Sequence, residues 1–473
     1  MSDRIYALRV VAAPERNARE YVDLADGKVV SALAEDFDLG TPDLLIDDDE
    51  RVVQGGREIT IKLELSGPRS DVEARLRALA LSVAGEGRWL LVQRTERTPP
   101  SWFRIRPASP GSLHIEDAFV DAPGQARWDW TLALTVDSVS FGERAVLPQA
   151  GTKNTTSTVT NTGSNRGIVV DVPGEVATDL RVDVRPSAAV LGRRLLVSSF
   201  SVPWTSPLIR TVGGAYEPFV IRDDSGFNIT GASSRDSGRS FLSGGSSIKA
   251  PMTTNAIIFT GNANNVTLPP GRYLVVARLY REGNSGAARL RLAQKYFSSY
   301  YWQDWRWWRP TDGGWRSSWM VLGELQHPFG ANGEGLDERG ILPPEIAVEM
   351  RGDGSGSTMH VDQVAYLPVS LANGGHARVM MAQYLPGVGP SQVATVRVDG
   401  LHRRTSVIDS AGKTHASPQP LTTGSRPSGW PGMATAVSVL MDSSSSPIDV
   451  DNVDWSTDLT ISVQPRHVHL AGA

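Results

Sequence analysis

Residues 126–143 read ARWDWTLALTVDSVSFGE. Within this stretch Trp128, Trp130, Leu132, Leu134 and Val136 occupy every second position over nine residues. Successive side chains of a strand point to opposite faces, so the spacing predicts a long strand with one buried face. A helix would scatter the same five residues around its circumference. A second alternation precedes it in EITIKLEL, residues 58–65, where Ile59, Ile61, Leu63 and Leu65 share a face. After a turn at Gly67-Pro68, Val72, Leu76, Leu79 and Val83 fall on one helical face. Ser70 and Glu73 have the spacing of a capping box, and Gly85 stands at the position expected to end the helix. Trp89–Gln93, Trp102–Arg106 and Leu113–Val120 read as further strands. Residues 1–148 are therefore expected to form an α+β domain with one helix, dominated by antiparallel sheet.

Beyond this segment the pattern changes. Residues 149–167 are small, polar and low in charge, with only Val159 to bury, and read as a linker or a weakly paired edge segment. Strand-like runs return at Leu180–Val184, Arg194–Ser198, Ala256–Phe259, Tyr273–Leu279, Ala288–Ala293 and Met359–Pro368, separated by Gly, Ser and Asn loops. This spacing predicts a jelly-roll β-sandwich over 168–370. Arg378–Tyr384, Val393–Val398, Thr405–Asp409, Thr435–Met441 and Leu459–Gln464 predict a smaller β-sandwich over 371–473. The expected fold class is thus mainly β.

Composition narrows the function. With 47 basic and 51 acidic residues the net charge is −4, so the chain lacks the basic footprint that phosphate neutralisation requires, and no specific nucleic-acid binding is expected. The absence of cysteine removes disulfides and thiolate metal sites and fits folding in a reducing cytosol. MSDRIYALRVV at the start lacks the apolar core of a signal peptide, and no window approaches a membrane span, so no membrane partner is expected.

The densest chemical signal is aromatic. Between Tyr296 and Trp319, ten of 24 positions are aromatic, and six of the chain's 13 tryptophans lie there. In YYWQDWRWWRPTDGGWRSSW, residues 300–319, they alternate with Arg and Asp rather than with aliphatic residues. Flat rings beside planar polar groups suit a surface that stacks on sugar C–H faces. Candidate carbohydrate-binding residues are Trp302, Trp305, Trp307, Trp308, Trp315 and Trp319 for stacking, with Asp304, Arg306 and Arg309 bonding hydroxyls. The alternative reading is that these rings fill the core of a β-sandwich.

Catalytic signatures are missing: there is no GxSxG elbow, HExxH, P-loop or GxGxxG fingerprint. The chain is read as a non-enzyme with no cofactor and no metal. His467 and His469 lie two apart on an expected strand, but without further clustered ligands they read as a polar pair. Asp47–Glu50 reads as a solvated loop, with calcium binding the lesser alternative, and Gly352–Gly356 reads equally well as a loop wrapping a cation through Asp353 and as a Gly-rich hairpin turn. The Arg351-Gly352-Asp353 tripeptide carries no weight.

The segments EITIKLEL, DVEARLRALALSVAG, WLLVQR, TPPSWFRI and ARWDWTLALTVDSVSFGE, in that order and closing at Phe141-Gly142, resemble the distal tail protein family of long-tailed bacteriophages, also described as minor tail proteins. The resemblance covers residues 1–148. SGWPGMATAVSVLMDSS and DWSTDLTISVQPRHV look like the galectin-like sandwich that follows the ring domain in such proteins. The central jelly roll would then be an inserted carbohydrate-binding-like module. The resemblance implies a virion protein at the distal end of the tail, assembled in the host cytoplasm as a homo-hexameric ring. Its implied partners are the tail tube protein, a tail hub or baseplate protein, a tape measure protein and host cell-wall polysaccharide. Two other readings stay open: a tail protein whose central module is purely structural, and a free glycan-binding or wall-degrading enzyme.

Overall fold

A computed structural model describes residues 5–26, 30–46, 52–106, 113–119, 124–160, 167–186, 194–219, 221–223, 226–237, 245–262, 271–283, 286–296, 299–309, 317–327, 345–371, 378–383, 393–402, 404–416, 427–441 and 456–470. The chain divides into two compact units, one of Met1–Ala145, Pro173–Thr178 and Gln464–Ala473, the other of Val146–Val172 and Asp179–Val463. Mainly β structure with one helix is found among the described residues, as the alternations require.

The first unit is built on the ladder that the sequence announces. Gly56–Pro68 and Gln125–Asp137 pair antiparallel along their whole lengths, from Gln125 opposite Pro68 to Asp137 opposite Gly56. Ile59, Ile61, Leu63 and Leu65 on one strand, and Trp130, Leu132, Leu134 and Val136 on the other, are all buried in one core. The helix Arg69–Ala84 adds Val72, Leu79 and Val83 to it, with Leu76 partly buried beside them. Its N-terminus departs from the capping box. Pro68 is the N-cap, no side chain caps the first turn, and Ser70 lies inside the helix, where its hydroxyl bonds Asp71. Proline supplies the needed φ, and Arg69 pairs with Glu73 one turn on. Gly85 ends the helix in an extended conformation rather than a left-handed one.

A six-stranded sheet completes this unit in the order Glu20–Asp23, Ala7–Val11, Trp89–Gln93, Ser101–Arg104, Ser140–Phe141, Arg466–His467. The residues after Gln464 thus return to the first unit rather than closing the C-terminal sandwich. Buried Arg57 donates to the carbonyls of Ser138 and Val468, Gln464 donates to the Pro14 carbonyl at 2.6 Å, and Leu470 is buried in the core.

In the second unit the strand partners differ from the expected partition. One sandwich joins the sheet Ala145–Leu147, Ser456–Val463, Thr178–Pro186, Val393–Asp399, Arg404–Asp409, Thr414–Ala416 to the sheet Gly167–Asp171, Ala434–Met441, Arg194–Val202, Arg378–Gln383. Strands expected in the jelly roll, at 178–186 and 194–202, therefore pair with the C-terminal segment. In 149–167, read as a linker or a weakly paired edge segment, Ser157–Thr160 pairs with Ser456–Val463, burying Val159. Local alternation specifies which face of a strand is apolar but not its neighbour, and these pairings run across the positions expected as boundaries at 167 and 370.

The jelly roll proper is inserted between these halves. Its first sheet runs Ser234–Ser237, Ser246–Pro251, Thr358–Leu371, Gly271–Glu282, Ser317–His327, with Ile221–Asp223 joined to Thr358–Leu371. The second runs Asn228–Ile229, Asn255–Asn262, Glu345–Gly352, Ala288–Tyr296, Ser299–Trp302, with Arg306–Trp308 also on Ala288–Tyr296. The longer strands alternate between the sheets, apart from the hairpin Ser234–Ser237/Ser246–Pro251 and the short strands Ser299–Trp302 and Arg306–Trp308, which stay beside Ala288–Tyr296. Thr358–Leu371, which contains the last run expected for the jelly roll, Met359–Pro368, is central. It pairs on both sides, and a register shift against Arg278/Leu279 sets Gln363 opposite Arg278 and Val361 opposite Leu279. The residue between them, Asp362, has no opposite number, which marks a β-bulge.

Candidate ligand-binding site

Ala288–Tyr296, ARLRLAQKY, organises the aromatic run. Its even-numbered residues Ala288, Leu290 and Leu292 are buried between the sheets, while Arg289, Arg291 and Lys295 lie on the opposite face. The register sets Tyr300 beside Lys295, Trp302 beside Ala293 and Trp307 beside Arg289. On the other side Arg351 lies opposite Arg289, Glu349 opposite Arg291, Ala347 opposite Ala293 and Glu345 opposite Lys295. Ala293 and Ala347, both small and buried, leave the neighbouring Trp302 room on this face.

Guanidiniums and rings interleave across it. The Arg291 guanidinium carbon lies 4.4 Å from the Trp302 ring centre and 4.5 Å from that of Trp305. Arg351 stands 4.5 Å from Trp305, while Arg289 and Arg309 stand 3.9 and 4.5 Å from Trp307. Lys295 lies 5.6 Å from Tyr300, which is itself tilted against Trp302 at 5.8 Å. Each contact draws a cation to the negative face of a ring. Glu349 takes a hydrogen bond from Arg291 Nε at 2.6 Å, and Glu345 takes one from the Lys295 ammonium at 2.7 Å. That bond holds the Lys295 pKa above its ordinary value.

The nine sequence candidates separate by position. Trp302 and Trp305 are half-buried in this ladder, Trp307 is 50% exposed, and Asp304, Arg306 and Arg309 are exposed. Trp308 and Trp319 face the other way. At 4% and 6% exposure they belong to the core, where the Trp308 indole N–H donates to Ser318 Oγ at 2.7 Å. These two rings are packing residues and offer no stacking face to solvent. Trp315 lies outside the described residues, as does the acidic run Asp47–Glu50. Tyr301, 61% exposed, lies opposite Gln294 and so on the other face of the edge strand from Tyr300 and Trp302.

Sequence reading missed the cationic half of the ladder: Arg289, Arg291, Lys295 and Arg351. The available signal was the every-second-residue charge in ARLRLAQK, which reads as an exposed face once the strand is placed next to the aromatic run. The missed pairing also alters the chemistry, since Trp305 and Trp307 are not bare platforms but rings already flanked by guanidiniums.

Two glutamines hold the edge of the site. Gln303 bonds both the carbonyl and the N–H of Glu324, and Gln294 does the same with Gln326. Each amide imitates a ladder partner along Ser317–His327, the edge strand of the facing sheet. Gly323 permits this, because a Cβ there would stand 2.0 Å from the Gln303 carbonyl oxygen.

Elsewhere in the module His360 bridges Ser247, whose Oγ is 2.9 Å from Nδ1, and Glu282, whose Oε2 is 3.1 Å from Nε2. The residue types are those of a hydrolytic triad, but Ser247 and His360 are both fully buried, so no hydroxyl nucleophile meets solvent here. Among the described residues no cluster of three or more His, Asp or Glu could hold a metal. His467 is half-buried, and burial lowers its pKa against an opposing effect of Glu175. No helix among the described residues is long and apolar enough to cross a membrane.

No protein-family description matches the sequence, and no curated protein matches it. Among solved structures, the chain aligns with one described as the structure of infectious bursal disease virus, Gt strain. The alignment has 11% identity, 90% coverage of this chain, 84% of the other and a TM-score of 0.17. A likeness that slight carries no argument about fold or function.

Proposed function

We propose that the chain is a structural protein of a long-tailed phage tail tip whose first unit assembles into a ring and whose jelly roll binds host cell-wall glycan. In this reading the ring is a homo-hexamer that joins the tail tube protein to a hub or baseplate protein, and a tape measure protein reaches it from the tube. The segments that resemble the distal tail family all fall in the first unit, and later sequence is added to it by insertion, since residues from Gln464 onward return to the same sheet. The observation that carries the adhesive role is the outward ladder of Trp302, Trp305 and Trp307 with Arg289, Arg291 and Arg351. A single sugar site of this kind binds weakly, and six copies on a ring multiply it through avidity.

The test combines light scattering and electron-microscope class averages of the full-length protein with binding to purified cell-wall glycan. A six-fold ring that binds glycan, and loses binding on Trp307→Ala without a change in melting temperature, is the expected result. A protein that neither forms rings, alone or on tail tubes, nor binds glycan overturns the proposal. A second reading, in which the jelly roll is purely structural, is favoured by the burial of Trp308 and Trp319. It predicts rings without glycan binding.

A further inference from the structure

The ladder carries two kinds of arginine. Arg291 is held by Glu349, and its neighbour Lys295 by Glu345, so those charges are locally balanced. Arg289, Arg351, Arg309 and Arg306 have no carboxylate partner among the described residues. Arg289, Arg351 and Arg309 contact indole rings instead. Arg289 and Arg351 are moreover directly opposite each other across an antiparallel pair. Like charges so placed destabilise a sheet, and such conflicts are retained where a site needs them. Nearby acids do not offset them. Asp353 is committed to its own turn: it accepts the N–H groups of Ala287 at 2.6 Å and Ser355 at 3.0 Å. Burial pushes its pKa up, yet these bonds bring the net pKa below the ordinary value. Asp304 is exposed, one carboxylate against four guanidiniums.

Stacking on an indole uses the face of a guanidinium and leaves its N–H edges available. It also restrains the side chain, so that less conformational freedom is lost when an anion arrives. Arg289 and Arg309 beside Trp307, and Arg351 beside Trp305 and opposite Arg289, thus present restrained donors of the fork geometry that matches a carboxylate. The ligand must also offer an apolar flat surface to the exposed part of Trp307. A polyol phosphate has the charge but no ring. A neutral sugar has the ring but would leave the guanidiniums unmatched. A uronic acid has both, with the carboxylate attached directly to the ring.

Resting on the glycan-binding reading above, we propose that the end of the face formed by Arg289, Arg351, Arg309 and Trp307 binds uronic-acid residues of an anionic polysaccharide. The carboxylate takes the free N–H edges of the stacked arginines, and the sugar ring rests against Trp307. The chain's overall acidity makes this local basic patch selective, because non-specific polyanions are repelled elsewhere on the surface.

The experiment titrates the full chain by calorimetry with oligogalacturonate, oligoglucuronate and oligomannuronate, each beside its carboxyl-reduced counterpart, which keeps the ring and linkage and loses the charge. At least one uronate should bind about tenfold or more tightly than its reduced form, the worth of one charge-assisted contact, and should weaken as salt is raised. Arg351→Gln should abolish the difference between charged and reduced forms. Arg351→Lys, which keeps charge and lacks the fork, should restore it only in part, with melting temperatures recorded for both. Equal binding of charged and reduced forms overturns the uronate assignment and leaves the glycan-binding reading standing. Absence of binding to all six ligands overturns the uronate assignment, while binding to purified cell-wall glycan decides the glycan-binding reading separately. Tighter binding of inorganic polyphosphate or single-stranded DNA than of any uronate also overturns it.

Discussion

Asp362 and Arg278 form an ion pair with both side chains wholly buried, Nη1 to Oδ2 at 3.0 Å, in the sheet behind the ladder. The bulge at Asp362 places the carboxylate there, and the guanidinium also lies 4.9 Å from the Tyr280 ring centre. Asp362→Ala removes the counter-charge without removing the cation. An unmatched charge in such a position costs about 3–5 kcal/mol. At roughly 2–4 °C per kcal/mol for a cooperative unit of 150–250 residues, the corresponding calorimetric transition should fall by roughly 6–20 °C. Replacing both partners, Arg278→Met with Asp362→Leu, should recover most of that loss, because two well-packed apolar side chains often match a buried pair. With Arg278→Met and Asp362→Leu also made singly, the double-mutant cycle isolates the coupling from the individual packing changes. A single variant within about 1 kcal/mol of the parent, or a double variant no more stable than Asp362→Ala, would refute the assignment of this pair as an obligate unit.

Leu470→Ala should destabilise the first unit by about 2–5 kcal/mol and leave the second unit's transition in place, read by calorimetry, because Leu470 packs in the first unit's core. Burial holds the His467 pKa below 6.5, so the unfolded chain takes up that proton first; the first unit should lose stability as pH falls through 6.5 toward the depressed value. Thermal midpoints at pH 7.5 and 5.5 check this, and His467→Gln should reduce the slope. Gln303→Leu frees the Glu324 backbone at a sheet edge, which should cost about 1 kcal/mol and increase self-association in sedimentation velocity. Trp308→Ala should cost about 3–5 kcal/mol in urea unfolding, whereas Trp307→Ala, at a half-exposed ring, should cost much less.

The legible parts of the fold are those whose information is local. Ile59 through Leu65 and Trp130 through Val136 declare a buried face by alternation alone, and Val72, Leu79 and Val83 do the same for the helix. The capping box failed because Pro68 is the N-cap and the helix starts at Arg69, one residue before Ser70, with the proline at a position where its missing N–H is no loss. The candidate site was half legible. The tryptophans stand out by composition, but Trp307 and Trp308 are adjacent on one strand and meet opposite environments, and only the direction of that strand's pleat separates them.

By itself the sequence determined the mainly β class, the single helix, the apolar face of each long strand and the place where flat rings gather. Those properties depend on the spacing of residues within a segment. Tertiary structure decided which strands are neighbours. It set Thr178–Pro186 and Arg194–Val202 beside strands from the C-terminal part of the chain, returned Arg466–His467 to the first unit, and laid Arg289 and Arg351 against the tryptophans. Backbone hydrogen bonding in a sheet is the same for every residue type, so the choice of partner is made by the packing of whole faces, which no single segment contains.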